Sequence, residues 1–240
     1  MSAEFLIKKL HAFCELSDAD KKALSAFAER PAVVQANEDV ISEGENPKNV
    51  YLITKGWGCR YKYLEDGRRQ ILAFFLPGDL CDLNVYILDQ MDHSIGAITT
   101  LEFSRVPPEA MNDLGDNHPR VMRALWWDTL VTGSIQREWT VSLGQRDALE
   151  SLAHLYCELY LRMRMVGLCK NNSCHMPLTQ QHLADALGLT PTHTGRVVRQ
   201  LNETGIVHFG RKVLQVKDLR RLQETGSFNP NYLHHRTGQR

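Results

Sequence analysis

Residues 178–201, LTQQHLADALGLTPTHTGRVVRQL, restrict what this chain can fold into more than any other stretch. Leu183, Ala184, Leu187, Leu189, Val197 and Leu201 recur at helical spacing, on the faces that two crossed helices bury against each other. Ala184 is small where such helices come closest. Gly188 supplies an easy left-handed residue at the turn. Thr190 is placed to cap the second helix, and Pro191 suits its first turn. That helix then presents Thr192, Gly195, Arg196 and Arg199 on one side. The pattern predicts a helix-turn-helix whose second helix is of the kind that enters the DNA major groove. A helical hairpin buried in a core is the alternative, and the outward arginines disfavour it.

The next residues extend the motif. Ile206–Phe209, then Gly210-Arg211-Lys212, then Val213–Val216 predict a short β-hairpin with a basic tip, placed as a wing. Charge agrees. Residues 177–240 hold nine Lys and Arg against four Asp and Glu, whereas the whole chain has 28 of each. A basic end on a neutral chain suggests a module that meets phosphate, joined to one that does not.

The 240 residues leave room for one large or two ordinary domains, and 43% hydrophobic content suffices for real cores. No apolar run is long enough to span a bilayer. The start, MSAEFLIKKLHAF, is too short and mixed for a signal peptide and predicts a small amphipathic helix. The six cysteines lack framework spacing, so reduced thiols in a cytoplasm are the simplest expectation.

Residues 31–107 have a different texture. Short β-rich runs, among them residues 50–53, 58–63, 71–75 and 101–106, alternate with Gly44, Gly56, Gly58, Gly67 and Gly78. Strands this short and frequent predict a sandwich, barrel or roll. A helix over residues 17–29 precedes them, with Ser17 as N-cap and Pro31 as stop. Residues 117–145 predict one long helix, capped by Asn117 with Pro119 in its first turn. Met122, Leu125, Trp126 and Trp139 fall on one side of it, and Val121, Val131 and Ile135 on another. Two apolar faces imply two partners: the β-domain and a second copy of the helix. Val121, Leu125, Val131 and Ile135 are the candidate dimer residues. Another helix covers residues 147–168, and CKNNSCHMP, residues 169–177, reads as hinge or linker.

This order resembles the Crp–Fnr family of bacterial transcription regulators. The carriers are ISEGENPKNVYLITKGWGCRYKYLEDGRRQILAFFLPGDL and the helix-turn-helix segment. The resemblance implies an α+β fold: an N-terminal cyclic-nucleotide-binding-like β-roll over residues 1–116, a dimerisation helix over 117–146 and a C-terminal winged helix-turn-helix over 147–240. It further implies a homodimer on palindromic double-stranded DNA, with RNA polymerase as a possible partner, and no catalysis. Cyclic-nucleotide binders in the family place a glutamate on the ribose and an Arg-Ser or Arg-Thr pair on the cyclic phosphate. Here Asp82 stands near the glutamate position and His93-Ser94 stands where that pair belongs. A histidine cannot replace a bidentate guanidinium on phosphate. The pocket is therefore expected to be degenerate and cyclic AMP not to be its effector; a changed anionic ligand touching His93 is the other reading.

Oxygen-sensing relatives bind an iron–sulfur centre through clustered N-terminal cysteines, but only Cys14 lies there, so no such cofactor is expected. Cys59 and Cys81 fit small core residues, with a redox pair as the alternative. Cys169, Cys174 and His175 sit together, with Cys157 or His182 as a further ligand, yet the spacing is loose. Solvated linker thiols, open to oxidation, are favoured over a metal site. His234 and His235 read as polar tail. For DNA, the resemblance assigns base reading to Thr192, Gly195 and Arg196, with Arg196 suited to guanine O6 and N7. Thr179, Gln180, Thr190, Arg199, Arg211 and Lys212 are the expected phosphate contacts. A ligand- or redox-sensing roll acting through protein contacts is the alternative function.

Overall fold

The computed structural model describes residues 3–29, 31–83 and 85–234; His235 and the rest of the tail lie outside the described residues. Two helices open the chain, α1 (Glu4–His11) and α2 (Asp18–Ala26). Ser17 caps α2 in a reciprocal box with Asp20, as its position predicts. Eight strands follow: β1 (Ala32–Val34), β2 (Asp39–Ile41), β3 (Val50–Lys55), β4 (Gly58–Tyr63), β5 (Arg69–Phe75), β6 (Leu80–Cys81), β7 (Ser94–Ala97) and β8 (Leu101–Val106). They form two antiparallel sheets of order β1-β8-β3-β6 and β2-β7-β4-β5. Ile53, Phe103 and Leu101 from one sheet meet Ile41, Phe75 and Ile95 from the other, closing the roll around its own core. Two turns need glycine outright. A Cβ on Gly56 would stand 2.3 Å from the Thr100 carbonyl oxygen, and one on Gly78 would stand 2.7 Å from the backbone of Phe5 in α1.

The predicted long helix is two helices, α3 (Pro108–Asn117) and α4 (Pro119–Gly144). His118 breaks them with φ −131° and ψ 61° and bonds Asp20 across 2.8 Å. Asn117 is thus the end of α3, bonded to Asp113, and not a cap; Pro119 does occupy the first turn of α4. A second correction concerns the dimer residues. Val121 and Leu125 pack beside Leu6, Leu10 and Leu24, while Val131 and Ile135 pack beside Phe74 and the next helix. All four lie inside their own chain. The reason is that α4 packs within the protomer against α1, α3, β5, the following helix and the turn at residues 230–233, which cover both of its predicted apolar faces except at Trp126.

That following helix, α5 (Ala148–Met165), is capped by Asp147 in a box with Glu150. Gln145–Asp147 is therefore the connector between α4 and the C-terminal unit. The expected linker at 169–177 is instead built structure: β9 (Cys169–Lys170) and β10 (Ser173–His175) form a hairpin. Then come α6 (Gln180–Leu187), α7 (Pro191–Glu203), β11 (Val207–Gly210), β12 (Val213–Val216) and α8 (Leu219–Thr225). The last sheet has the order β11-β12-β10-β9, so the hairpin continues the wing. Among the described residues no helix is long and apolar enough to cross a membrane.

Candidate nucleic-acid interface and effector pocket

The local chemistry of the helix-turn-helix follows its sequence. Thr179 caps α6 by accepting from the His182 amide, and Gly188 ends that helix at φ 66°, ψ 29°. Thr190 caps α7 by accepting from the His193 amide. Leu183, Ala184, Val197 and Leu201 are buried where the helices cross. The outer face of α7 is open: Thr192, Arg196 and Arg199 are exposed one helical turn apart. Gly195 lies among them, half-buried, and faces the Gln180 side chain; a Cβ there would meet Gln180 Oε1 at 3.0 Å. The absent side chain gives Gln180 its place on the same surface.

The wing, whose strand β11 packs on α7, carries its own basic tip. Arg211 and Lys212 take φ 50° and 62°, a two-residue turn that matches the twist of β11 and β12 and points both side chains outward. Among the described residues, Arg196, Arg199, Arg211 and Lys212 make no ion pair. The unit thus carries four exposed cations without an ion pair, two on α7 and two at the wing tip, together with the capped N-termini of α6 and α7. Such a surface supplies donors and positive potential to a polyanion.

The roll holds a second candidate site. A cavity of about 650 Å³ opens between the roll and α4, reached by Arg60, Asp82 and His93 from one side and Val131, Ile135 and Gln136 from the other. Asp82 sits at φ 53°. One of its oxygens pairs with Arg60 Nη2; the other lies 2.9 Å from His93 Nε2, whose ring partner Nδ1 lies 2.7 Å from Asp92. Burial alone would raise the Asp82 carboxyl, but the His93 hydrogen bond and the Arg60 charge outweigh it and hold it below its ordinary value. Ser94 is also committed, its Oγ accepting from the Glu43 amide at 2.9 Å. The structure thus brings Asp82, His93 and Ser94 together, and each is already satisfied by the protein.

Two features escaped the sequence reading. Arg60 is one; its signal was a cation between the core residues Cys59 and Tyr61 of a strand. The other is a buried charge network. Lys9 lies 2.9 Å from Asp79 and 2.8 Å from Asp128, and Arg162 lies 2.9 Å from Asp79 and 3.0 Å from Glu158. It joins α1, the roll, α4 and α5. No local pattern reports it, because its members are spread from residue 9 to residue 162. A smaller clasp, Arg69 to Asp185 at 2.8 Å, holds α6 against β5.

Cys59 and Cys81 are buried free thiols, and burial pushes Cys59 up to about 12. Cys169 and Cys174, expected as solvated linker thiols, are joined in a disulfide. They stand directly opposite each other across β9 and β10, a placement that only the hairpin creates.

Residues 31–118 match the cyclic nucleotide-binding domain family, and residues 135–225 match the Crp-like helix-turn-helix domain family. Over 208 residues the chain is 30% identical to the nitrogen fixation regulation protein FixK of Bradyrhizobium diazoefficiens, spanning 85% of this chain and 86% of that one. The chain belongs to the Crp–Fnr family of transcription regulators. The transcriptional activator protein FnrL of Cereibacter sphaeroides is 27% identical over 217 residues, covering 89% and 87% of the two chains. Among solved structures, FixK2 from Bradyrhizobium japonicum superposes with a TM-score of 0.72 at 27% identity, over 81% of this chain and 96% of that one. As a Crp–Fnr regulator the protein binds DNA through its helix-turn-helix and is not an enzyme.

Proposed function

We propose that the protein works in the cytoplasm as a homodimer that reads a palindromic DNA site, and that cyclic AMP is not its effector. The observation that carries the reading is the set of exposed cations without an ion pair, Arg196 and Arg199 beside Thr192 on α7 and Arg211 and Lys212 at the tip of the wing. Arg196 reads a guanine in each half-site, and Thr192 favours a thymine methyl at a neighbouring pair. Gly195 lets the backbone and Gln180 approach closely. Thr179, Thr190, Arg199, Arg211 and Lys212 fix register on phosphates.

Dimerisation is assigned to the outward stripe of α4. Trp126 and Leu130 are 62% and 68% exposed, and Gly133, Arg137 and Val141 continue the stripe at intervals of three and four residues. Paired in this way, the two recognition helices meet successive major grooves about 34 Å apart. A dimer so seated on a promoter is placed to touch RNA polymerase. Cyclic AMP is disfavoured because its ribose needs a free carboxylate, whereas both oxygens of Asp82 are already engaged, one by Arg60 and the other by His93.

Binding-site selection tests the assignment. Arg196→Ala should flatten the preference at one base pair per half-site and cost roughly 1–3 kcal/mol there. Arg211→Ala and Lys212→Ala should weaken all sequences alike and reduce the salt slope by about one per lost contact. If Arg196→Ala keeps the base preference and the wing variants change it, the reading and anchoring elements are reversed.

A further inference from the structure

We infer that Cys169 and Cys174 form a reversible thiol–disulfide switch that sets the order of the DNA-binding wing. Three observations bear on it. The pair is covalent, yet it sits in a protein that works where DNA lies, and there disulfides are usually transient and redox-sensing. Its two sulfurs differ in access: Cys174 is buried, whereas Cys169 is half-exposed on a two-residue edge strand beside Lys170. The hairpin it closes also carries the wing. Cys174 stands opposite Leu214 of β12, the Asn172 carbonyl accepts from the Val216 amide at 2.9 Å, and the Met176 amide donates to the Lys212 carbonyl at 2.8 Å. Both ends of β12 are therefore held by residues within or next to the disulfide hairpin, and Tyr160 of α5 donates to the Asn172 side chain at 3.2 Å.

The chemistry needs an external partner, a low-molecular-weight disulfide such as oxidised glutathione. Cys169 gives up its proton and its thiolate attacks one sulfur of that disulfide, whose S–S bond breaks and releases one thiolate. Cys174 then loses its proton and displaces the second thiolate from Cys169. Two protein thiols lose two electrons and two protons, and the small disulfide becomes two thiols. Excess small thiol reverses each step. Selectivity follows from burial: Cys59, Cys81 and Cys157 are enclosed, and burial raises all three thiols well above their ordinary value. On reduction β9 loses its covalent tie and keeps its two-residue pairing with β10 and its packing on α5, so the turn at Asn171-Asn172 and the Val216 end of β12 loosen.

The proposal rests on the DNA-binding reading for its output, and the test separates the two. Full-length protein carrying Cys14→Ser is equilibrated across ratios of reduced to oxidised glutathione, quenched in acid and tagged with a maleimide. Mass spectrometry then reads residues 169 and 174. Amide hydrogen exchange over residues 207–216 and affinity for a duplex selected with the oxidised protein are measured in parallel. The expected result is interconversion of the pair within those ratios. The reduced form should show faster exchange in the wing, roughly tenfold weaker DNA binding and a shallower salt dependence. Cys169→Ser should behave as the reduced form at every ratio. A pair that stays in one state throughout, or equal wing exchange in both states, overturns the switch. Faster wing exchange on reduction with no DNA binding in either state would keep the switch and refute the DNA reading instead.

Discussion

Leu130 and Val131 are neighbours on α4, and the structure predicts opposite consequences for placing a charge at each. Leu130 is 68% exposed in the protomer, whereas Val131 is buried against the core shared with α5. Fully burying a leucine side chain is worth about 1.5–3 kcal/mol, so covering the exposed part of Leu130 contributes about 1–2 kcal/mol. A two-fold interface counts it twice, and two facing glutamates add repulsion. Leu130→Glu should therefore cost about 2–4 kcal/mol of association, which raises the dimer Kd by about 30- to 1,000-fold. The chain itself should melt nearly unchanged, because the side chain touches little of its own protomer. Val131→Glu should instead bury an unpaired carboxylate and destabilise the fold by several kcal/mol. Sedimentation velocity over a concentration series, with thermal melts of both variants, gives the contrast. A Leu130→Glu protein that still sediments as the wild-type dimer would show that the Trp126–Leu130 stripe is not the interface.

Three further outcomes are expected. Calorimetry with cyclic AMP at neutral pH should show no tight site; a micromolar or better Kd with rising DNA affinity would contradict the role given to Arg60, Asp82 and His93. His154 donates from Nδ1 to the Gly226 carbonyl and accepts at Nε2 from Tyr232, and burial, then the nearby Arg146, lower its pKa from 6.5 to about 4. The unfolded chain then binds the extra proton between those values, so stability present above pH 6.5 is lost as pH falls towards 4, on the order of 3 kcal/mol, and His154→Gln should flatten the dependence of Tm on pH in that window. Arg162→Met should leave Glu158 without its cation and Asp79 with Lys9 alone, cost about 3–5 kcal/mol and lower Tm by roughly 6–20 °C, whereas Arg220→Ala, on an exposed pair, should leave Tm within about 2 °C.

What the sequence made legible was whatever depends on local rules. Gly188, Thr190 and Pro191 announce the turn and the start of α7, because left-handed φ, side-chain capping and a missing amide each act within a few residues. The glycines of the roll are legible for the same reason. Position 117 failed because capping preferences cannot see His118 reaching 98 residues back to Asp20. The faces of α4 failed because periodicity gives the number of apolar stripes and not their partners. A stripe shared with α1, β5 and α5 reads the same as one shared with a second copy. The stretch at 169–177 failed because its polar, turn-rich composition suits a linker and an edge hairpin equally; only the register with β12 separates them. At the effector pocket the sequence located Asp82, His93 and Ser94 but missed Arg60, which arrives from another strand.

These long-range pairs also bear on how the roll and the DNA-binding unit can communicate. Asp79 follows the turn at Gly78 in the roll, and Arg162 lies on α5, beyond the connector. The pair is buried and extended by Lys9, Asp128 and Glu158, and the charges of Lys9 and Arg162 overcome burial to keep the Asp79 carboxyl below its ordinary value. Removing one member of such a pair costs about 3–5 kcal/mol, whereas a ligand coupled to a distant site usually supplies about 1–3 kcal/mol. A ligand-driven rotation about Gln145–Asp147 would have to part Arg162 from Asp79 and Arg69 from Asp185 together, which exceeds that supply. In this conformation these two ion pairs therefore tie the roll to the C-terminal unit. An input that reaches the DNA face more cheaply must enter beyond the network, on the side of the wing, where the hairpin of Cys169 and Cys174 lies.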